Sequence, residues 1–299
     1  MQIARTSPAA AAGATRRFRV IRPYSLADYW LTSIAVGVRA LPGPYPREAL
    51  ARILNPLSYP RMMEYALIRE LLGGFSGKTL LDVGSPKLPV LLIAREPQTE
   101  LVATDIRDYF IRPTAHFLQH TGRVASEEAV RLEVADARHL PYPDASFDAI
   151  YSISVLEHIP DAGDAEAVRE LGRVLKPGGA VAITVPFDNS GYREEWLEDD
   201  VYERRFEREP IFYQRHYDCP SLHARLVAPS GLSLERLKFF GEPGFHFEAR
   251  WNRIPMKWKV PLLWAQPFVA RLFLKRLGID DAGHTCGVAL LLRKPATDR

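Results

Sequence analysis

An α/β fold, a mostly parallel sheet wound on both faces by helices, is what this sequence predicts from three observations. Short apolar strands alternate with longer helical or loop segments from residue 79 to residue 185. Acidic residues, Asp82, Asp105 and Asp136, stand at the carboxyl ends of three successive strands. Gly84 follows the first of them at a strand-to-helix turn of Rossmann-like character. Such alternation favours parallel strands joined by right-handed crossovers, which collect ligand-binding groups at the carboxyl edge of the sheet.

Residues 1–22 are rich in Ala and Arg and contain no acid. They offer little to bury and read as a flexible arm, although a transit peptide has a similar composition. Residues 23–60 hold short apolar stretches broken by "LPGPYP" and predict small helices that cap a larger body. The body spans 61–299. It opens with a helix over Arg61–Leu72, whose apolar residues recur at helical spacing and which stops at Gly73-Gly74. Strands are predicted over Thr79–Val83, Glu100–Asp105, Val130–Ala135, Phe147–Ser152 and Ala180–Val185. The stretch "CPSLHARLVAPSGLSLERLKFFGE" predicts a helix, a stop and another strand, and Thr285–Arg293 a final strand. Two insertions, at about 188–218 and 242–284, are expected to form a lid and a substrate pocket over one end of the sheet.

Composition narrows the function classes. The 299 residues are 47% hydrophobic and 25% charged, as in a soluble globular protein. A net charge of +3 is too mild to imply nucleic acid, and no basic stripe accompanies a recognised nucleic-acid module. The two cysteines, Cys219 and Cys286, are far apart, so no disulfide framework and no metal site is predicted. A reducing, cytoplasmic setting fits them. Tyr29 to Leu41 is apolar but short and interrupted by Thr32, Ser33 and Arg39, too little to span a bilayer.

The stretch "LLDVGSPKLP" carries the first chemistry. Gly84 allows close approach of a ligand to backbone, and the next helix offers free amides. A dinucleotide site would require G-x-G-x-x-G to seat a pyrophosphate. Here Pro86 and Pro89 remove donors and no glycine triplet exists, which disfavours a nicotinamide or flavin cofactor and an oxidoreductase. A ligand without phosphates tolerates the loss. In "LVATDI", Asp105 stands where a carboxylate accepts both ribose hydroxyls, or caps the next turn. In "LEVADARHLPYP", Asp136 is placed to meet an exocyclic amine.

Read together, "LLDVGS", "VATDI", "VADARHLPYPDASFDAIYSISVLEHI" and "ELGRVLKPGGAVAITVPF" resemble the class I S-adenosylmethionine-dependent methyltransferases, in their small-molecule branch. The resemblance covers roughly Leu71 to Phe187. It implies that the last strand is antiparallel. It implies that Asp82, Gly84 and Ser85 line the amino-acid end of S-adenosylmethionine, that Asp105 holds the ribose, and that Ile106 lies against adenine. Asp136 and Ala137 would meet the adenine edge, and the Ser152 backbone would face the methionine moiety. The family's glycine-rich loop is here "DVGSPKLP", which predicts a stiffer loop.

A methyl acceptor that is a hydroxyl or a weakly acidic carbon needs a base. His158 in "LEHI" is the first candidate and His216 in "YQRHYD" the second; each has a structural reading as well. Lys176-Pro177-Gly178-Gly179 is a turn feeding a strand. The first insertion mixes Trp196, Tyr202, Phe206, Phe212, Tyr213 and Tyr217 with arginines, as a pocket for a planar or anionic acceptor does, and as a charged helix with a buried aromatic face does. In the second, a helix from Pro267 sets Val269, Phe273 and Leu277 on one face and Arg271 and Lys275 on the other. That suits a membrane-peripheral helix with snorkelling cations and equally a lid helix. The expected activity is methyl transfer to a small or amphipathic acceptor. The competing reading is a binding or scaffold protein that kept the fold and lost catalysis.

Overall fold

Eight strands among the described residues form one sheet, in the spatial order Val130–Val134, Glu100–Asp105, Thr79–Val83, Phe147–Ile153, Leu175–Pro186, Thr285–Arg293, Ser233–Gly241 and Lys275–Leu277. The computed structural model describes residues 25–122, 129–197, 210–244, 246–278, 281 and 285–296. The arm at 1–22 and the insertion residues Tyr202 and Phe206 lie outside these.

In chain order the elements are α1 (Leu26–Ala40), α2 (Pro46–Leu54), α3 (Arg61–Leu71), β1 (Thr79–Val83), α4 (Leu88–Ile93) and β2 (Glu100–Asp105). Then come α5 (Asp108–Gln119), β3 (Val130–Val134), β4 (Phe147–Ile153), α6 (Gly163–Val174) and β5 (Leu175–Pro186). The hairpin β6 (Arg193–Leu197) and β7 (Ile211–His216) is followed by α7 (Cys219–Leu222), α8 (Ala228–Ser230) and β8 (Ser233–Gly241). Last are α9 (Phe247–Asn252), α10 (Met256–Lys259), α11 (Gln266–Phe273), β9 (Lys275–Leu277) and β10 (Thr285–Arg293).

β1 to β5 run parallel, and β10 is antiparallel to both β5 and β8. Alternate residues serve opposite cores. Leu81, Ile150, Val181, Ile183, Val288 and Leu290 face α6 and the 222–232 segment. Leu80, Ala149, Tyr151, Ala180, Ala182 and Ala289 face α1, α3 and α4. Burial on both faces explains why these strands read as unbroken apolar runs. The alanines on the second face let α3 lie close across β4, β5 and β10. On α6, a Cβ at Gly172 would collide with the Ser230 carbonyl oxygen, so this glycine sets the approach of the helix to α8.

The expected lid is not seen among the described residues of the two insertions. The β6–β7 hairpin packs beside the Leu156–His158 turn. Its fully buried Arg215 guanidinium donates to the carbonyls of Ile159 and Asp161 and lies over the Phe212 ring. The second insertion packs on the outside of the 55–60 loop, where the Tyr59 amide donates to Gln266 Oε1 at 3.0 Å. Gln266 Nε2 in turn donates to Asn55 Oδ1 at 3.2 Å. Both insertions therefore buttress other segments, because their buried polar groups find partners there. No helix among the described residues is long and apolar enough to cross a membrane.

Candidate active site

A cavity of about 920 Å³ opens above the carboxyl ends of β1 to β4. Its floor holds Gly84, Ser85, Asp105, Ile106, Asp136 and Ala137 from the turns after β1, β2 and β3, with Ser154, Val155 and His158 after β4. Its roof is Glu48, Ala51 and Arg52 of α2, the 55–58 loop, and Arg61 and Tyr65 of α3. Strand ends and a capping helix pair thus share one site, and among the described residues no lining group comes from either insertion.

The turn after β1 is built around Asp82 and Lys87. Asp82 is fully buried, and its Oδ1 accepts from the Ser85 amide at 3.1 Å. Ser85 Oγ accepts from the Ile153 amide at 2.9 Å, which ties the turn to β4. Gly84 has φ +66°, and a Cβ there would lie 2.7 Å from Val155 Cγ1. Glycine alone satisfies both the left-handed backbone and the contact. Where a glycine-rich loop would run, Lys87 turns inward, only 7% exposed. Its Nζ donates to the carbonyls of Ser85 (2.7 Å) and Thr104 (2.8 Å) and lies 3.5 Å from Asp82 and 3.7 Å from Asp105. Burial lifts the Asp82 carboxyl to about 6 against the pull of Lys87, and burial likewise raises Asp105.

Asp105 Oδ1 accepts from the Arg107 amide at 3.1 Å, and the neighbouring Ile106 side chain is 60% exposed on the cavity wall. Arg138 grips both oxygens of Asp136, at 2.6 to 3.1 Å, and holds that carboxyl below its ordinary range. Ser152 does not reach the cavity. It is fully buried in the ladder between β1 and β5 with its Oγ donating to Val83 O, and the lining passes to Ser154 and Val155. Ser154 has φ +50°, a conformation that non-glycine residues seldom adopt.

His158 lines the cavity, and His216 is not among the lining residues. The β6–β7 hairpin leaves His216 beside Glu195 (3.3 Å) and Gln214 (3.1 Å), where burial and then Arg193 lower its basicity. His158 Nδ1 lies 2.8 Å from the Tyr213 carbonyl oxygen. A carbonyl only accepts, so Nδ1 carries a proton here, which leaves Nε2 as the accepting nitrogen whenever the ring is neutral. The first insertion therefore orients His158 from behind.

Three polar groups of this region were not anticipated from the sequence. Glu64, buried on α3, accepts from Arg61 at 2.6 Å and from Ser154 Oγ at 2.6 Å, and so joins the roof to the end of β4. Its place in the stripe Glu64, Leu67, Ile68, Leu71 was the available signal. Lys87 stood in plain view where a glycine was expected. Glu157 is buried beside His158, and burial pushes its carboxyl up to about 8. Its Oε2 has no hydrogen-bond partner.

Among the described residues, no group of three His, Cys, Asp or Glu could hold a metal ion. A family described as methyltransferase domain matches residues 81–183. Methyltransferase GfsG of Streptomyces halstedii is 34% identical over 131 residues, 44% of this chain and 45% of that protein. Demethylmenaquinone methyltransferase of Deinococcus radiodurans is 33% identical over 140 residues, 46% of this chain and 55% of that one. The chain thus spans about half the length of these curated relatives. Among solved structures, the [4+2]-cyclase SpnF has a TM-score of 0.51 at 22% identity, covering 80% of this chain and 84% of that one. The 1,6-didemethyltoxoflavin-N1-methyltransferase of Burkholderia thailandensis has a TM-score of 0.50 at 16% identity, covering 92% and 93%. These likenesses show the fold, and residues 81–183 match the methyltransferase domain family.

Proposed function

We propose that this chain transfers a methyl group from S-adenosylmethionine to a small, amphipathic acceptor held in the cavity above β1 to β4. The observation that carries the reading is the meeting of Asp105, Ile106, Asp136 and His158 around one cavity. The residues fit the cofactor by their chemistry. Asp105 has acceptor capacity left for a ribose diol, Ile106 offers an apolar face for a purine, and Asp136 with Ala137 stands at the purine edge. Gly84 and Ser85 would border the amino-acid end, with Asp82 behind them. At about 920 Å³ the cavity lies at the upper end of the range of ligand pockets, in keeping with a cofactor that has an acceptor beside it.

The cofactor brings an activated methyl group, so the chain's own task is to align the acceptor and exclude water. In this reading the α2 and α3 roof excludes water, and Nε2 of His158 takes a proton from an acceptor that must lose one. Apolar groups of the wall, Leu57, Tyr109, Phe110 and Phe117, suit an acceptor with an apolar body. Relatives named for demethylmenaquinone and sterol substrates accord with that class. A cytoplasmic setting accords with the two free cysteines, and residues 23–60 act as the cap of a body over 61–299. A binding or scaffold protein that kept the fold, lost catalysis and no longer takes the cofactor is the second reading, favoured by Pro86 and Lys87 in the loop.

Calorimetry with S-adenosylhomocysteine separates the two. Binding is expected, and Asp105→Ala should weaken it by about 2–4 kcal/mol, as loss of hydrogen bonds to a charged acceptor does. His158→Ala should leave that affinity unchanged and lower turnover by about 10²–10⁴. No binding by the intact chain, or an unaltered Asp105→Ala affinity, would overturn the assignment.

A further inference from the structure

The segment from 249 to 278 contains seven Lys and Arg (Arg250, Arg253, Lys257, Lys259, Arg271, Lys275, Arg276) and no Asp or Glu. It also exposes more apolar side chain than its neighbours require. Trp258 is 63% exposed, Phe268 56% and Leu272 67%, with Leu262 and Trp264 about half exposed. The cavity does not account for them, since none lines it.

Trp264, Phe268 and Leu272 form one face with Trp30, and Trp258 and Leu262 lie exposed on the segment that leads into it. Phe268 lies edge-on to Trp30 of α1 at 6.0 Å and to Trp264 at 6.2 Å. The Trp30 indole donates to the Trp264 carbonyl at 3.2 Å, which fixes the two rings relative to each other. Leu272 stands one helical turn beyond Phe268. The opposite side of α11 is packed: Ala270 is buried, and Val269 and Phe273 join the core. This helix is therefore anchored on one side and apolar on the other, with Arg271 and Lys275 at its exposed border. Lys257 lies over the Trp258 ring at 5.7 Å.

Tryptophans at the boundary, aliphatic and phenyl groups beyond them and long cations around the rim are what a lipid interface selects. A protein partner would be met by charges of both signs at the rim. Thirty residues without a carboxylate match a uniformly negative surface. We propose that this face, Trp30, Trp258, Leu262, Trp264, Phe268 and Leu272 with their cations, docks on an anionic membrane surface. It is continuous with the cavity roof. The Val260–Ala265 turn packs on α2, which exposes Leu50 and Leu54 outward while its Ala51 and Arg52 line the cavity. Docking would set the roof against the bilayer.

The test is co-sedimentation of the full chain with phosphatidylcholine vesicles, with and without phosphatidylglycerol, in the absence of cofactor. It stands or falls independently of methyl transfer. The chain should pellet with the anionic vesicles, release as salt rises, and show quenching of tryptophan fluorescence by brominated lipid. Phe268→Ser with Leu272→Ser should lower partitioning by about tenfold, and Lys257→Glu with Lys259→Glu by about tenfold or more. All four positions are solvent-facing or rim residues, and unchanged thermal unfolding would show the variants folded. The proposal is overturned if the chain stays in the supernatant with anionic vesicles. It is overturned equally if pelleting ignores both variant pairs, or if the apolar pair abolishes a dimer seen by sedimentation velocity while vesicles bind nothing.

Discussion

Lys87 Nζ, 3.5 Å from Asp82 and 3.7 Å from Asp105, is the counter-charge for two carboxylates that burial otherwise disfavours. A stiff turn results, because the same ammonium also joins the carbonyls of Ser85 and Thr104. Lys87→Met keeps the stem and removes the charge. Leaving a buried carboxylate unpaired costs about 3–5 kcal/mol, so urea denaturation should show a loss of that order near neutral pH. The loss should shrink toward about pH 5, where carboxyls with raised folded-state values take up protons and need no partner. A variant as stable as the parent at neutral pH would mean that Lys87 is not the counter-charge.

Helix α6 approaches α8 through Gly172, where a Cβ would lie 2.1 Å from the Ser230 carbonyl oxygen, so that backbone would have to shift. Gly172→Ala should destabilise the chain by about 1–3 kcal/mol, as overpacking does, with cofactor affinity retained. Thermal unfolding beside calorimetry checks both halves of the expectation. The elements themselves were largely legible in the sequence. Strand alternation, Asp82, Asp105 and Asp136 at strand ends, and the helix over 61–71 are local patterns of period, turn and termination. What covers the strand ends was not legible. The roof depends on how α2 and the 55–58 loop meet the turns after β1 and β2, distant in sequence, and no periodicity encodes that meeting. For the same reason His216 was expected near the cavity and lies on a hairpin that supports His158 from the rear. Ser152 was expected at the site on its place in β4, two residues before the ladder gives way to the exposed turn.

Among the described residues, burial lifts Asp82 to about 6, Glu248 to about 7 and Glu157 to about 8, and raises Asp105 as well. For an acid raised in this way the folded state holds its proton longer than the unfolded chain does. The associated stability is complete below the unfolded value, near 4, and is lost as pH rises through the folded values. Thermal stability should therefore decline from about pH 5 to about pH 9. Glu157→Gln should flatten the upper part of that decline, and unfolding curves at the two ends of the range decide it. An unchanged slope would place the sensitivity elsewhere.

Strand β10 follows every other strand among the described residues, yet it occupies the interior of the sheet, paired on one side with β5 and on the other with β8. During synthesis on a ribosome, β1 to β5 can assemble as they emerge, whereas β8 and β9 have no place in the sheet until β10 arrives. Until then two open edges, those of β5 and β8, present unpaired backbone and apolar side chains. The nascent chain is thus most exposed to misassociation between the emergence of β8 and that of β10, and a stop before residue 285 would leave it there permanently.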